Sequence, residues 1–257
     1  MRSSTVAMAS RDRLSIVATI EARMSSSRLP GKVLLPAGGK PMLQHLVERL
    51  RRVRSLDRIV LATTDRHTDD DLATFARQQG IACFRGSEED VMGRVLGAAE
   101  SVVADVVVEI TGDCPIIDPD IVEETIQLFL RTSCDYATNS YVRGYPDGMD
   151  TQVLAVDTLR RSAAMTQDPL DREHVTLHIC RHPELFSRAH LVAPPDLHWP
   201  DLGLTLDEPR DYELLKRVIE HFGDANPLFG CRDVVELLRS KPEWVAMNKD
   251  VRRKGAT

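Results

Sequence analysis

The feature that most constrains the fold is the regular alternation of short apolar runs with amphipathic segments in the first half of the chain. Residues 14–20, 59–63, 81–84 and 106–110 are short apolar runs of the kind that form buried parallel strands. The segments between them repeat apolar residues three and four positions apart, as helices with one buried face do. This alternation predicts a mainly parallel sheet that helices cover on both faces.

The predicted helices continue this pattern into a less regular second half. Their predicted bounds are 41–53, 69–79, 88–104, 119–130, 157–164, 169–180, 208–221 and 231–240. A strand is predicted at 203–206, and residues 139–156 are expected to form loops with strands. These elements predict one domain at 14–240, with disordered tails at 1–13 and 249–257.

Composition and charge argue against several classes of protein. The 257-residue chain carries a formal net charge of −6, which argues against a general nucleic-acid-binding protein. No apolar run approaches the roughly 20 residues of a membrane span, and the first residues contain no apolar signal core. The five cysteines include no C-x-x-C pair. We therefore expect free thiols in a reducing compartment, and a cytoplasmic location.

A basic loop that contains glycine follows the first predicted strand. It contains Arg23, Arg28 and Lys32 together with three serines at 25–27 and a turn at Gly31. Backbone N–H groups at a tight turn, with Arg and Lys, can neutralise a triphosphate. The spacing is neither that of a P-loop nor that of a dinucleotide-binding motif. From the residues alone, a phosphate site and a plain basic surface loop are both open.

Six stretches of the chain, in order, resemble one known family. They are ARMSSSRLPGKVLLPAGGKPMLQHLVERL, VLATTDRHTDDDLATFARQQGIACFRGSEEDVMGR, ITGDCPIIDPDIV, YPDGMDTQVL, DREHVT and LTLDEPRDYELL. Together they resemble the nucleotide-sugar cytidylyltransferases, a group that includes the CMP-3-deoxy-manno-octulosonate and CMP-acylneuraminate synthetases. Within this group the motifs are most similar to the spore coat polysaccharide biosynthesis protein F branch.

The resemblance implies a fold and a reaction. The fold would be a three-layer α/β/α, Rossmann-like domain of the nucleotide-diphospho-sugar transferase (GT-A-like) type. The reaction would pass CMP from CTP to an acceptor and release pyrophosphate, as a step of surface polysaccharide biosynthesis. The resemblance places Arg23, Ser26, Arg28 and Lys32 on the triphosphate. It makes Arg23, Arg28, Lys32 and Asp113 the catalytic set, because this chemistry needs charge neutralisation and positioning more than a special nucleophile.

Two aspartates are the metal ligands that the resemblance implies for Mg²⁺. Asp113 follows the strand at 106–110, and Asp207 precedes the helix at 208–221. Each also has a structural alternative, since Asp113 suits a turn and Asp207 suits a helix cap. Asp118 is expected to cap the helix at 119–130.

The nucleoside and acceptor residues are also assigned by resemblance. Base and ribose contacts are expected from Arg85, Gly86, Ser87, Asp90 and Arg94. The structural alternative for this stretch is a helix start with Ser87 as its cap and Asp90 as its third residue. Acceptor contacts are expected from Tyr145, Asp147, Asp150, Arg172, Glu173 and His174. Arg172 would suit an acceptor carboxylate or phosphate, and His174 could take a proton from an attacking hydroxyl.

The remaining predictions concern surfaces and assembly. The basic run Arg49, Arg51, Arg52 and Arg54 is predicted to be the solvated face of a helix. The resemblance implies a homodimer formed through residues 139–195. The expected partners are CTP and a small acceptor, with no nucleic acid and no membrane.

Two other functions compete with nucleotidyl transfer. A nucleotide-sugar-dependent glycosyltransferase is one, but Cys114 and Pro115 stand where a D-x-D metal motif would continue from Asp113. A catalytically silent nucleotide-binding protein is the other, and the presence of Lys32, Asp113 and Asp207 argues against it. The sequence leaves the identity of the acceptor open.

Overall fold

A seven-stranded sheet forms the centre of the computed structural model, which describes residues 13–223 and 225–251. The strands of this sheet and of a separate two-stranded hairpin, numbered together in chain order, are β1 (Ile16–Glu21), β2 (Pro36–Ala37), β3 (Lys40–Pro41), β4 (Arg58–Thr64), β5 (Ala82–Gly86), β6 (Val106–Thr111), β7 (Tyr136–Thr138), β8 (Gln152–Ala155) and β9 (Arg188–His190). The sheet has the order β5-β4-β1-β6-β8-β7-β9, and β2 and β3 form a separate hairpin. Adjacent strands from β5 to β6 are parallel, whereas β8 runs antiparallel to β6 and β7. The predicted α/β class with a mainly parallel sheet is confirmed.

Helices connect these strands. Their bounds are α1 (Met42–Leu50), α2 (Asp70–Gln79), α3 (Val91–Ser101), α4 (Pro119–Thr132), α5 (Val156–Met165), α6 (Pro169–Glu173), α7 (Leu177–Arg181), α8 (Pro209–Phe222), α9 (Cys231–Arg239) and α10 (Pro242–Val245). Local sequence explains several of their ends. Asp118 caps α4, as predicted, and accepts a hydrogen bond from the backbone N–H of Asp120. Gly80 ends α2 in the left-handed conformation.

The layers follow from the alternation of side chains along each strand. In β1, Ala18 and Ile20 pack into a core with α1, α2 and α4, whereas Val17 points to the opposite face and packs under α3. Burial of each large aliphatic side chain contributes about 1.5–3 kcal/mol. A third core lies under α8 and α9, beside the β2–β3 hairpin. No helix within the described ranges is long and apolar enough to cross a membrane.

The second half departs from the predicted elements in three places. The helix predicted at 169–180 is two short helices, because Val175 has a φ of 25° and breaks the helical path. The strand predicted at 203–206 makes only an isolated bridge between Gly203 and Asp147. Of the predicted tails, residues 13 and 249–251 are described: Arg13 contacts Asp57 at 3.3 Å, and Val251 is buried. Residues 1–12 and 252–257 lie outside the described residues.

The sequence predicted that Arg49 lies on a solvated helix face, and this prediction is wrong. Its side chain is buried, and Nη1 donates to the carbonyl oxygens of Phe229 (2.9 Å) and Ile117 (3.3 Å). The guanidinium group also lies 4.0 Å from the centre of the Phe229 ring. Arg49 therefore joins α1 to the segments before α4 and α9, which explains why a charged residue of a basic run is buried.

The carboxyl ends of the parallel strands define one edge of the sheet. The loops after β1, β4, β5 and β6 all leave the sheet there. Because β8 is reversed, the segment between β7 and β8 enters the same edge before Gln152. Ligands of open α/β sheets bind at this edge, so the fold places the loop at 22–35, Asp113 and residues 139–151 in reach of one ligand.

Candidate active site

A cavity of about 320 Å³ opens at this edge of the sheet. Its walls come from the loop after β1, the loop after β6, the start of α3, the segment before β8, the start of the α6–α7 connection and the segment before α8. The residues that the resemblance had assigned to three different ligands thus largely share one cavity.

The loop after β1 is held in shape by a few backbone contacts. Gly31 has a φ of 69°, and its N–H donates to the carbonyl of Met24 at 2.9 Å. The backbone N–H of Met24 donates to buried Asp69 at 2.8 Å, and Asp69 also accepts hydrogen bonds from Thr63 and Thr64 at the end of β4. Position 31 favours glycine because its left-handed backbone conformation would strain a residue that has a side chain. The loop is therefore preorganised and anchored to the sheet.

Lys32 lies between the two predicted metal ligands. Its Nζ is 3.2 Å from Asp113 Oδ2 and 3.2 Å from Asp207 Oδ1. Burial alone would lower the pKa of Lys32, but the carboxylates of Asp113 and Asp207 outweigh it and raise that pKa. Arg28 adds a second cation, with Nη2 2.6 Å from Asp207 Oδ1. The four residues form a compact charged cluster on the cavity wall.

Asp207 is not the helix cap that the sequence allowed as its alternative role. Glu208 caps α8, in a capping box with Asp211, whose carboxyl group accepts from the N–H of Glu208 at 2.8 Å. The carboxyl group of Asp207 instead meets Lys32 and Arg28. Asp113 accepts a hydrogen bond from the Thr111 hydroxyl at 2.6 Å, which orients its carboxyl group at the end of β6. Both carboxylates therefore face ionic partners in the cavity.

Arg23 and Ser26 also line the cavity, with their own local contacts. Arg23 pairs with Glu88 at 3.1 Å, and Glu88 in turn contacts Ser25 and Arg66. Ser26 Oγ accepts a hydrogen bond from the N–H of Leu29 at 3.4 Å. Glu88 thus ties the basic loop to the start of α3, where the nucleoside residues were predicted.

Of the five predicted nucleoside residues, Arg94 alone is among the side chains that line this cavity. Arg85 points away, because its guanidinium group donates to Thr64 O (2.8 Å) and Arg66 O (2.7 Å) and pairs with Asp70 (2.6 Å). The structure thus places Arg85 against the end of β4 and outside the cavity lining, and its contact with the nucleoside stays a prediction. Gly86 ends β5 and also lies outside the cavity lining.

Ser87 and Asp90 shape the start of α3 instead of lining the cavity. Ser87 Oγ accepts from the N–H groups of Glu89 (3.1 Å) and Asp90 (3.2 Å), which forms a turn. Asp90, and not Ser87, is the cap of α3, and its carboxyl group accepts from the Gly93 N–H at 2.8 Å. These bonds use both side chains to form the helix start, which is the structural alternative that the sequence allowed, with Asp90 and not Ser87 as the cap.

Four of the six predicted acceptor residues line the cavity. They are Asp147, Asp150, Glu173 and His174. Tyr145 is instead buried in the core with α8 and α9. Arg172 is directed away, since it donates to Ala163 O (2.7 Å) and Thr166 O (3.2 Å) and contacts Asp90 at 3.4 Å. Arg172 therefore lies outside the cavity lining, and its contact with an acceptor stays a prediction.

The segment that carries Asp147 and Asp150 is held against the segment before α8. The N–H of Asp147 donates to Leu202 O at 2.9 Å, and the N–H of Leu204 donates back to Asp147 O at 2.7 Å. The N–H of Leu206 donates to Asp113 O at 2.8 Å. The backbone therefore fixes Asp113, Asp147 and Asp207 relative to one another.

Burial changes the protonation of Asp150. Burial raises the pKa of Asp150 to about 7, nearby Asp147 reinforces that rise, and Arg143 opposes it. A carboxyl group with such a pKa can be neutral or charged near neutral pH, depending on what binds beside it.

No group of three or more His, Cys, Asp or Glu side chains in the described part of the chain is arranged to hold a metal ion. Asp113 and Asp207 converge on Lys32 as a pair. Because Mg²⁺ is commonly bound by one or two carboxylates with substrate phosphates completing its shell, this donor set fits Mg²⁺ only together with a nucleotide.

Sequence reasoning missed several cavity residues, of which Glu21 carries the most chemistry. Glu21 ends β1 and lines the cavity beside Arg94. A glutamate at the end of an apolar strand has no distinguishing spacing in the sequence. Glu21 directly precedes the family motif that begins at Ala22, and this position was the one signal that could have identified it.

Comparisons with known proteins agree with this geometry. The chain is 36% identical over 236 residues to the Bacillus subtilis spore coat polysaccharide biosynthesis protein SpsF, which covers 89% of this chain and 95% of that protein. It is 33% identical over 156 residues to the 3-deoxy-manno-octulosonate cytidylyltransferase of Pelobacter propionicus, across 59% of this chain and 60% of that one.

A solved structure and a family model extend the likeness to the whole fold. The structure of a cytidylyltransferase from Leptospira borgpetersenii superposes with a TM-score of 0.87 at 30% identity, over 94% of this chain and 100% of that chain. The cytidylyltransferase family model matches residues 17–225, which include every residue of the cavity discussed above. This protein is therefore an enzyme of the cytidylyltransferase family.

Proposed function

We propose that this enzyme transfers CMP from CTP to a sugar acid or a small phosphorylated acid and releases pyrophosphate. The observation that carries the proposal is the convergence of Asp113 and Asp207 on Lys32, in a cavity that Arg23 and Arg28 also line. An acceptor oxygen would form a bond to the α-phosphorus while the bond to pyrophosphate breaks. Charge on the triphosphate is the main obstacle to this step, and the cluster supplies the cations that offset it.

The basic loop would bind the triphosphate through its side chains and its turn. Arg28 and Lys32 hold the carboxylates of Asp113 and Asp207 in the free enzyme, and the same N–H groups would turn toward phosphate oxygens when CTP binds. Arg23 is tied to Glu88, so it would reach the phosphates from the side of α3. Arg forms bidentate contacts and Lys acts as a mobile charge, which suits the two ends of this cluster.

Asp113 and Asp207 are the residues that would hold Mg²⁺. The ion supplies charge neutralisation to the triphosphate and to the departing pyrophosphate. The orientation of Asp113 by Thr111, and of the Asp207 segment by the backbone bond from Leu206 to Asp113, would keep both carboxylates in place during turnover.

The acceptor would bind at the end of the cavity formed by Asp147, Asp150, Glu173 and His174. The name of the Pelobacter relative supports a sugar acid as acceptor, and that of the Bacillus relative supports a role in surface polysaccharide biosynthesis. His174 as a proton acceptor remains a prediction from the sequence, and its side chain is exposed at the cavity.

The test is acceptor-dependent pyrophosphate release with CTP and Mg²⁺, using a panel of sugar acids and small phosphorylated acids. Asp113→Asn and Asp207→Asn should each lower turnover by at least about 10²-fold, as expected for groups that stabilise transition-state charge. Asp120→Asn is the matched control, because Asp120 is an exposed carboxylate on α4 outside the cavity. Full activity of both cavity variants would refute the proposed metal site. A glycosyltransferase would release no pyrophosphate in this assay.

We further propose that the enzyme is a cytoplasmic homodimer. Free cysteines at 83, 114, 134, 180 and 231 support a reducing compartment. Exposed apolar side chains at Tyr141, Val142 and Val192, close to the edge strand β9, support an interface within residues 139–195. Light scattering of the full chain should give twice the monomer mass, and a monomer at micromolar concentration would contradict this assembly.

A further inference from the structure

Arg94 is a buried cation whose hydrogen bonds are incomplete in the free enzyme. It lies on α3, is 4% exposed and lines the cavity. Its Nη1 donates to Ser87 O at 2.5 Å, but its buried Nε has no partner among the described residues. A buried donor without a partner lowers the stability of the free protein, so this donor is placed for an acceptor that arrives with a ligand.

Glu21 is the neighbouring group that could accept hydrogen bonds from the same ligand. Its backbone oxygen is used by the N–H of Gly112 at 2.8 Å, and its carboxyl group is hydrogen bonded to the carboxyl group of Glu109. Burial raises the pKa of Glu21 to about 7, while Arg94 opposes that rise. Burial, reinforced by Glu21, raises the pKa of Glu109 well above its ordinary value. The guanidinium group of Arg94 favours the charged form of the Glu21 carboxyl group, and both side chains line the cavity, so Glu21 can accept a hydrogen bond from a ligand there.

A chain of hydrogen bonds beneath the cavity ends at this pair of carboxyl groups. The hydroxyl groups of Tyr136 (2.7 Å) and Thr176 donate to Oε1 of Gln152, which leaves its amide nitrogen to donate to Glu109. Glu109 accepts that bond on Oε2, and its carboxyl group contacts that of Glu21. The polar network therefore holds the Glu109 carboxyl group in place behind Glu21.

The donor Arg94 and the acceptor Glu21, side by side, match the hydrogen-bonding edge of cytosine. Cytosine presents an amino group at N4, whereas the corresponding group of uracil-type bases is an oxygen acceptor. An arginine suits the remaining acceptors of the cytosine edge. A uracil would place its O4 against the carboxylate of Glu21, which disfavours it.

We propose that Glu21 selects cytosine over uracil by accepting a hydrogen bond from the 4-amino group, while Arg94 donates to the acceptors of the same edge. This inference rests on the proposed use of CTP, and it adds a specificity residue that the basic loop and the aspartates do not provide. A site built around one hydrogen-bond pattern rejects the wrong base by about 1–3 kcal/mol per good pair, or about 10–100-fold.

The test is calorimetric titration of the full chain with CTP and with UTP, in the presence of Mg²⁺, for the wild type and three variants. Glu21→Leu removes the acceptor, and the CTP preference should fall by about 10–100-fold. Glu21→Gln keeps an oxygen in the same place and should retain most of the preference at pH 8. Glu89→Leu is the matched control, since Glu89 is an exposed glutamate in the loop before α3 and lies outside the cavity. An unchanged CTP-to-UTP ratio in folded Glu21→Leu would overturn the inference.

The pH dependence of the ratio gives a second readout if Glu21→Leu does not fold. The charged and titratable groups that act on Glu21 are Arg94, Arg23, Asp113 and Glu109. As pH falls from 8 to 6, Glu21 becomes protonated and the CTP-to-UTP ratio of the wild type should fall, whereas Glu21→Gln should show no such change. Titration of the triphosphate is common to both nucleotides and cancels. A pH-independent wild-type ratio would count against the inference, and wild-type protein that binds neither nucleotide would refute the proposed function itself.

Discussion

At the scale of single residues, Lys32 has the most direct influence on the cavity, because it neutralises two carboxylates at once. Lys32→Met should lower kcat/KM for CTP by about 10²-fold, or about 2.8 kcal/mol of transition-state stabilisation. The binding of CMP, which lacks the outer phosphates, should weaken less. Lys40→Met is the control, because Lys40 pairs with Glu48 outside the cavity and is 45% exposed. Equal losses for CTP and CMP would show that Lys32 does not act on the outer phosphates.

Asp150 provides a test through stability instead of turnover. Burial raises its folded-state pKa from 3.8 to about 7, so the stability that its neutral form contributes is present below about pH 4 and is lost as pH rises to about 7. Asp150→Asn is uncharged throughout. At pH 8 this variant should therefore have a free energy of unfolding at least about 1 kcal/mol above that of the wild type, which raises the melting temperature by roughly 2–4 °C. At pH 4 the difference should be small. A difference independent of pH would show that Asp150 does not titrate in this range.

Residue by residue, more members of the predicted phosphate and metal set than of the predicted nucleoside set line the cavity. Arg28, Lys32, Asp113 and Asp207 carry family motifs, and the structure brings all four together. Arg85 and Arg94 lie in one motif, and sequence alone cannot say which one the tertiary structure turns toward the cavity. Arg85 is turned away from the cavity because its guanidinium group donates hydrogen bonds to the carbonyl oxygens of Thr64 and Arg66.

At the scale of elements, the turn at Gly148 is the feature on which the acceptor end depends. Gly148 has a φ of 107°, and an added Cβ would lie 2.7 Å from the backbone C and O of Leu204. Gly148→Ala should cost the roughly 1–2 kcal/mol of a left-handed residue and about 1–3 kcal/mol more for the clash. The clash would also displace the segment that leads to Asp207.

Gly39→Ala is the control for Gly148→Ala. Gly39 has a φ of 78°, but an added Cβ would meet no atom within 4 Å, so this variant isolates the backbone cost. Urea midpoints measured at pH 7 should therefore fall further for Gly148→Ala, and its acceptor-dependent turnover should fall as well. Identical midpoints for the two variants would mean that the contact with Leu204 does not constrain the fold.

The elements of the first half follow from local sequence, whereas those of the second half depend on tertiary contacts. β6 is apolar apart from Glu109 and Thr111, and Asp118 with Pro119 begins α4 where expected. No Gly or Pro marks the break between α6 and α7 in the sequence. Val175 adopts its unusual φ there, and its side chain is buried. β9 is three residues long and forms through pairing with β7, so no periodicity could reveal it.

At the scale of the whole molecule, the sheet explains how distant motifs form one site. Its topology brings residues 23, 113, 150, 174 and 207 to one edge, although they are spread over most of the chain. The chain as a whole is acidic, yet the loop after β1 concentrates three cations beside the cavity. A triphosphate is therefore attracted locally, while the rest of the surface repels extended polyanions.

The measurement that most directly tests the account is pyrophosphate release by the wild-type enzyme with each of the four ribonucleoside triphosphates, Mg²⁺ and the acceptor panel. The account predicts acceptor-dependent release with CTP at a kcat/KM at least about tenfold above that with UTP, which corresponds to about 1.4 kcal/mol, and lower values still with ATP and GTP. Release that is equally fast with UTP and CTP, or that does not depend on an acceptor, would contradict it.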